Sequence, residues 1–146
     1  FKSDTDTNVN LVKTTIMIDL TGLQSTAAGD IIGKNGAGIA YIAQVTTANQ
    51  GVVFGVSMSC YETPAGGDPD INLHSADEGT GVEDTAISAL TETLIINGGD
   101  AAAGTRTAGG TIAADQYLYL TAGATTDAAY TAGRLVIEIL GYDVAS

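Results

Sequence analysis

In residues 66–81, the run GGDPDINLHSADEGTG, four carboxylates (Asp68, Asp70, Asp77 and Glu78) and the chain's only histidine, His74, fall within sixteen residues. Three chemistries use such groups: a hard cation held by alternate oxygens, acid–base catalysis by paired carboxylates, and a histidine-based triad or zinc centre. Asp68-x-Asp70-x-Asn72 is how a helix–loop–helix calcium loop begins. The continuation departs from that pattern. Leu73 stands at the sixth position, where glycine makes the sharp turn, Gly79 stands at the twelfth, where a bidentate Glu is required, and no amphipathic helix flanks the run. A looser calcium site in a loop between strands stays open at this point, and a solvated acidic loop is the commoner form of such a pattern.

With one His and one Cys in the chain, a tetrahedral structural zinc lacks nitrogen and sulfur ligands. Any Ser and any Asp serve equally as triad partners on paper, so spacing singles out none. In residues 70–74, Ile71 and Leu73 point one way while Asp70, Asn72 and His74 point the other. This predicts a surface or interface histidine on the polar face of a short strand. Asp77, Glu78, Glu83 and Asp84 are close enough in sequence to suggest a glycosidase pair, but sugar clefts add aromatic platforms, and only Tyr61 is near in a chain without Trp.

The run Asp30-Ile-Ile-Gly-Lys-Asn-Gly-Ala-Gly38 has the look of a phosphate loop, yet Ala28 stands where the first glycine belongs and Asn35 replaces the magnesium-binding hydroxyl. Asn35-Gly36 instead predicts a tight turn. Cys60 lies in an alternating apolar run, which predicts a buried small hydrophobe rather than a nucleophile. No catalytic, cofactor-binding or metal-ligating residue is therefore assigned from the sequence.

The elements that would carry these residues are strands. Even positions of 12–20 read Val, Thr, Ile, Ile, Leu, and odd positions read Lys, Thr, Met, Asp, the pattern of a half-buried strand. In 51–61, Val52, Phe54, Val56, Met58 and Cys60 fall on one predicted face. Residues 38–46 alternate as well, and the linker 46–51 suggests that 38–46 and 52–61 are neighbouring antiparallel strands. Strands are also expected at 91–97, 116–121 and 134–140, with 82–90 open between a short helix and a strand. Tyr117 and Tyr119 share a face, and with Tyr130 and Tyr142 they suit either packing at the edge of the core or an interface. The Ala/Gly/Thr-rich run 101–110 reads as loop, and Thr-Ala-Gly at 107–109, 121–123 and 131–133 recurs without a fixed period.

A chain of 146 residues fits one domain, which at this size removes about 68–70% of the unfolded chain's surface from water. Residues 1–11 read as a flexible amino-terminal arm and 12–146 as a single all-β domain, an antiparallel β-sandwich of jelly-roll type with long Gly/Ala/Thr-rich loops. Seventeen acidic against five scattered basic residues leave a formal charge of −12. Nucleic-acid binding and anionic membranes are disfavoured, because both need clustered cations. One cysteine permits no internal disulfide, and no apolar run of about 18 residues or basic-then-apolar leader suggests a membrane span or signal peptide.

The runs ETPAGGDPDINL (62–73), SADEGTG (75–81) and QYLYLTAG (116–123) resemble small head proteins of marine tailed bacteriophages that accompany the major capsid protein, over about residues 30–142. The resemblance implies a capsid decoration or cement protein on the outside of the virion head. Its partner would be the major capsid protein, its state a homo-oligomer, often a trimer, and it would carry no catalytic residue and no cofactor. A head-fibre or receptor- and glycan-binding module is the alternative, and a secreted hydrolase a third class.

Overall fold

A computed structural model describes residues 9–144. The elements in chain order are β1 (Val9–Asp19), β2 (Leu23–Gln24), β3 (Gly33–Lys34), β4 (Ala43–Gln44), α1 (Thr47–Gln50), β5 (Val52–Ala65), β6 (Ile71–Ala76), a single 3-10 turn (Ile87–Ala89), β7 (Glu92–Ile96), β8 (Arg106–Gly109), β9 (Tyr117–Ala122) and β10 (Ala132–Val144). Two four-stranded sheets, ordered β1-β10-β5-β8 and β4-β9-β6-β7, form an antiparallel β-sandwich, and β2 with β3 makes a small ribbon. The pairings are nested. β1 joins β10, β4 joins β9, β5 joins β8 and β6 joins β7, so the first sandwich strand meets the last, the second the second-last, and so on inward.

The two-residue rhythm explains the layers. In β1, Ile16 and Ile18 pack against the core while Lys13, Met17 and Asp19 face outward. Leu20, Ile71, Leu73, Leu118, Leu135 and Ile137 are sealed between the sheets, each such burial stabilising by about 1.5–3 kcal/mol. The strands expected at 91–97, 116–121 and 134–140 are present as β7, β9 and β10, and 12–20 as β1. Residues 1–8 of the expected arm lie outside the described residues. Residues 9–11 are paired in β1, beginning with Val9 opposite Val144.

Three expectations are corrected. Residues 38–46 and 52–61 are not neighbours: only Ala43 and Gln44 of the first segment form a ladder, with β9, in the sheet opposite β5. The linker crosses between sheets as one helical turn, with the Thr46 hydroxyl accepting the Asn49 N–H at 3.3 Å. Gly51, at φ +66°, then redirects the chain.

The predicted face of β5 changes partway along. Leu140 pairs with Gly55 and Gly141 with Val53, so Phe54 is an extra residue, and the bulge turns Val53 inward and leaves Val52 and Phe54 exposed. Residues 101–110 are not all loop, because Arg106–Gly109 forms β8 on the edge of β5, where backbone pairing needs no large side chains. The segment 82–90, open in the sequence between a short helix and a strand, contains the single 3-10 turn Ile87–Ala89 and no strand. It is a connector pinned by single bridges of Val82 to Ile39 and Ala86 to Asp30.

That connector decides the shape of the surface. Residues 77–91 fold back over the outer face of the β4-β9-β6-β7 sheet, making a second small core of Ile31, Ala76, Ile87 and Tyr119. The outer face of the β1-β10-β5-β8 sheet has no such cover among the described residues.

Candidate functional site

The acidic stretch is drawn into the scaffold. Asp68 is only 2% exposed, its Oδ1 accepts the Asp70 N–H at 3.0 Å, and its Oδ2 accepts the Ala124 N–H at 2.7 Å. Its carbonyl accepts the hydroxyl of buried Tyr130 at 2.6 Å. Burial, followed by the nearby Asp68 and Asp70, pushes the Tyr130 hydroxyl well above its ordinary range. Asn72 Oδ1 is engaged by the Gly98 N–H at 2.9 Å. The alternate oxygens of Asp68 and Asn72 thus clamp three backbone amides that the neighbouring turns leave unpaired. Asp70 differs: its Oδ1 is buried without a partner, and burial, then Asp68 and Asp100, raise its pKa.

His74 is not on an open polar face, as the alternation predicted, but buried on β6, paired with Tyr119 of β9. Its Nδ1 lies 2.8 Å from Glu92 Oε2 on β7. A carboxylate only accepts, so Nδ1 carries the hydrogen. The four carboxylates considered for sugar chemistry have separate surroundings. Asp77 accepts from Gln116, Glu78 accepts the Thr91 N–H and hydroxyl at 2.8 and 2.7 Å, Glu83 is buried, and Asp84 sits exposed in a turn. The Thr91 hydroxyl, then its amide, hold the Glu78 carboxyl below the usual carboxylate range. Among the described residues no three His, Cys, Asp or Glu side chains converge as a metal cluster.

Tyr119 and Tyr130 are core residues rather than interface tyrosines. The Tyr119 hydroxyl donates to the Glu78 carbonyl at 2.7 Å and accepts the Gly81 N–H at 3.1 Å, anchoring the connector to β9. Tyr117 is half-buried and meets the edge of Tyr41 with ring centroids 4.9 Å apart. Cys60 is buried as predicted, and burial raises its thiol pKa, which suppresses the reactive thiolate. Asn35-Gly36 is a turn, closed by the Ala37 N–H on the Lys34 carbonyl at 3.0 Å.

The surface left for recognition is the uncovered outer face of the β1-β10-β5-β8 sheet. Leu11 is 77% exposed, Met17 78% and Tyr61 66%, and Val52, Phe54 and Leu140 are exposed near one end. The register explains the grouping, because Leu11 lies across from Tyr142 and Tyr142 across from Val52, with Phe54 against the Tyr142 ring. At the other end, Met17, Tyr61, Arg134 and Val136 border a shallow depression of about 640 Å³. Between the two ends Lys13 reaches Glu138 at 3.5 Å. The apolar ends and polar middle give a surface suited to a protein partner. Sequence reasoning missed Val52 and Phe54 as surface residues, since only the bulge at Phe54 reverses their side.

No protein-family model matches this sequence, and a search of curated proteins finds no relative. Among solved structures, a chain of the "Cyanophage Pam1 capsid asymmetric unit" is similar at a TM-score of 0.46 and 15% identity, over 99% of this chain and 90% of that one. At that level of overlap the likeness carries no argument about function.

Proposed function

We propose that this chain is a non-enzymatic virion structural protein of jelly-roll type, a decoration or cement protein that binds the outside of an assembled phage head. The observation that carries the reading is the asymmetry of the sandwich: one sheet is roofed by its own connector, while the other bares Leu11, Met17, Val52, Phe54 and Tyr61. The nested strand pairing supports the jelly-roll form, which is a long hairpin wrapped into two sheets. The short runs that resemble phage head proteins supply the kind of partner, the major capsid protein, and a location on the capsid surface.

Cementing needs no reaction. A protein that binds the assembled shell better than its dissociated subunits stabilises the shell by linkage, and repetition over symmetric sites multiplies weak contacts. The test is to strip the protein from purified particles and add it back. Particles lacking it should disassemble at lower temperature, with wild-type protein restoring the melt and Phe54→Ser or Met17→Ser restoring it less. Unchanged melting on removal counts against cementing.

A head-fibre or glycan-binding module is the second reading, favoured by exposed Tyr61 standing beside the depression near Arg134. It predicts saccharide binding that Tyr61→Ala abolishes while particle melting stays unchanged.

A further inference from the structure

Among the described residues, the β1-β10-β5-β8 sheet has one open edge. At its β8 end, β7 of the opposite sheet packs alongside. At the other end β1 runs through eleven residues with an unbroken register to β10 and no further strand bonded to it among the described residues. Proteins blunt such edges with charged side chains, proline, bulges or cover. β1 has no Pro, Gly or bulge, and beneath it lies a cleft of about 430 Å³ bordered by Ile16, Ile18, Ile39 and Tyr41, the last two exposed.

We propose that a second copy of this chain pairs antiparallel along β1, joining the two sheets into one continuous sheet about a twofold axis through Ile16. In antiparallel pairing, residues that face each other must both turn their hydrogen-bonding groups toward the shared edge or both away from it. A strand pairing with its own copy therefore shifts only in steps that match even to even and odd to odd positions. Lys13 and Asp19 are the only charged residues of β1, opposite in sign, on the same outward face and equidistant from Ile16. With Ile16 opposite the partner's Ile16, Lys13 faces the partner's Asp19 and Asp19 faces the partner's Lys13. The neighbouring allowed registers set Lys13 against Met17 or Thr21 of the partner subunit and pair no charges. Charge complementarity thus selects one register, and it closes on two copies. The competing role of the same charges is to guard the edge against any pairing.

The pairing is read from the edge alone, so its failure leaves the capsid reading standing. The experiment is sedimentation of the purified chain over a dilution series, comparing wild type, K13E, D19K and K13E/D19K. Wild type should sediment as two copies. Each single reversal should weaken self-association about tenfold, since two symmetric charge pairs become repulsive, and the double reversal should restore it. Within each protomer the double reversal turns the Lys13–Glu138 attraction into repulsion, so restored association separates intermolecular pairing from fold stability. Hydrogen exchange of wild-type β1 amides should slow as concentration rises, a readout that needs no variant. A wild-type chain that stays monomeric, a mass of three copies, an oligomer insensitive to the single reversals, or a double reversal that fails to restore association overturns the proposal.

Discussion

Replacing Asp68 with alanine tests whether the acidic stretch is a clamp or an ion site. Asp68→Ala strands two backbone donors, the Asp70 and Ala124 N–H groups now 3.0 and 2.7 Å from its oxygens. A hydrogen bond to a charged group contributes ~1.5–3 kcal/mol, so the two cost about 4 kcal/mol together. Removing the charge that raises the Asp70 pKa offsets part of this, leaving a loss of about 3 kcal/mol. At ~2.1 cal/mol/K per residue, a chain of 146 residues unfolds with an entropy near 0.31 kcal/mol/K, so the melting temperature should fall by ~10 °C. Asp68→Asn keeps one acceptor oxygen and should lose about half as much. The assay is thermal unfolding followed by circular dichroism, repeated with added calcium and with chelator. The wild-type melt should not respond to either. A loss below ~0.5 kcal/mol for Asp68→Ala, or a calcium-dependent rise in the wild-type melt that Asp68→Ala abolishes, would refute the clamp.

Asp70→Asn should raise the melting temperature at neutral pH. The folded-state pKa of Asp70 is raised by burial, then by Asp68 and Asp100, so between the ordinary carboxylate value and the folded one the native chain holds a proton that the unfolded chain has already released. Stability from this group therefore falls as pH rises from the ordinary carboxylate value through the folded value, and the deficit persists above it. The gap between Asp70→Asn and wild type should open across that interval, and a gap independent of pH contradicts the assignment. Tyr119→Phe removes the hydroxyl that ties the Glu78 carbonyl and the Gly81 N–H to β9, at a cost of ~1–2 kcal/mol. Hydrogen exchange should then rise in residues 77–91 before it does in β10, and uniform change would point elsewhere. Gly141→Ala drives a methyl into the Gln50 carbonyl oxygen beside the bulge and should cost at least ~3 kcal/mol; a neutral melt would mean that the β5–β10 register differs.

The layers were legible because alternation is local. A strand half-covered by a core has to repeat every two residues, and 12–20, 116–121 and 134–140 do so without interruption. Burial of Cys60 followed from the same rhythm. The short acidic run was legible only as a negative result, since Leu73 and Gly79 break the calcium pattern but say nothing about what the oxygens do instead. They cap amides contributed by residues 98 and 124, which no local spacing encodes.

Sequence alone therefore determined the class of the fold, because side-chain alternation and turn chemistry act between neighbours in the chain. Only the tertiary structure decided which strands meet, that one extra residue at Phe54 turns two apolar side chains outward, and that residues 77–91 roof one sheet and leave the other bare. Those outcomes depend on contacts between residues far apart in sequence, where loop closure, crossing between sheets and the competition for one buried face fix geometry that no short window contains.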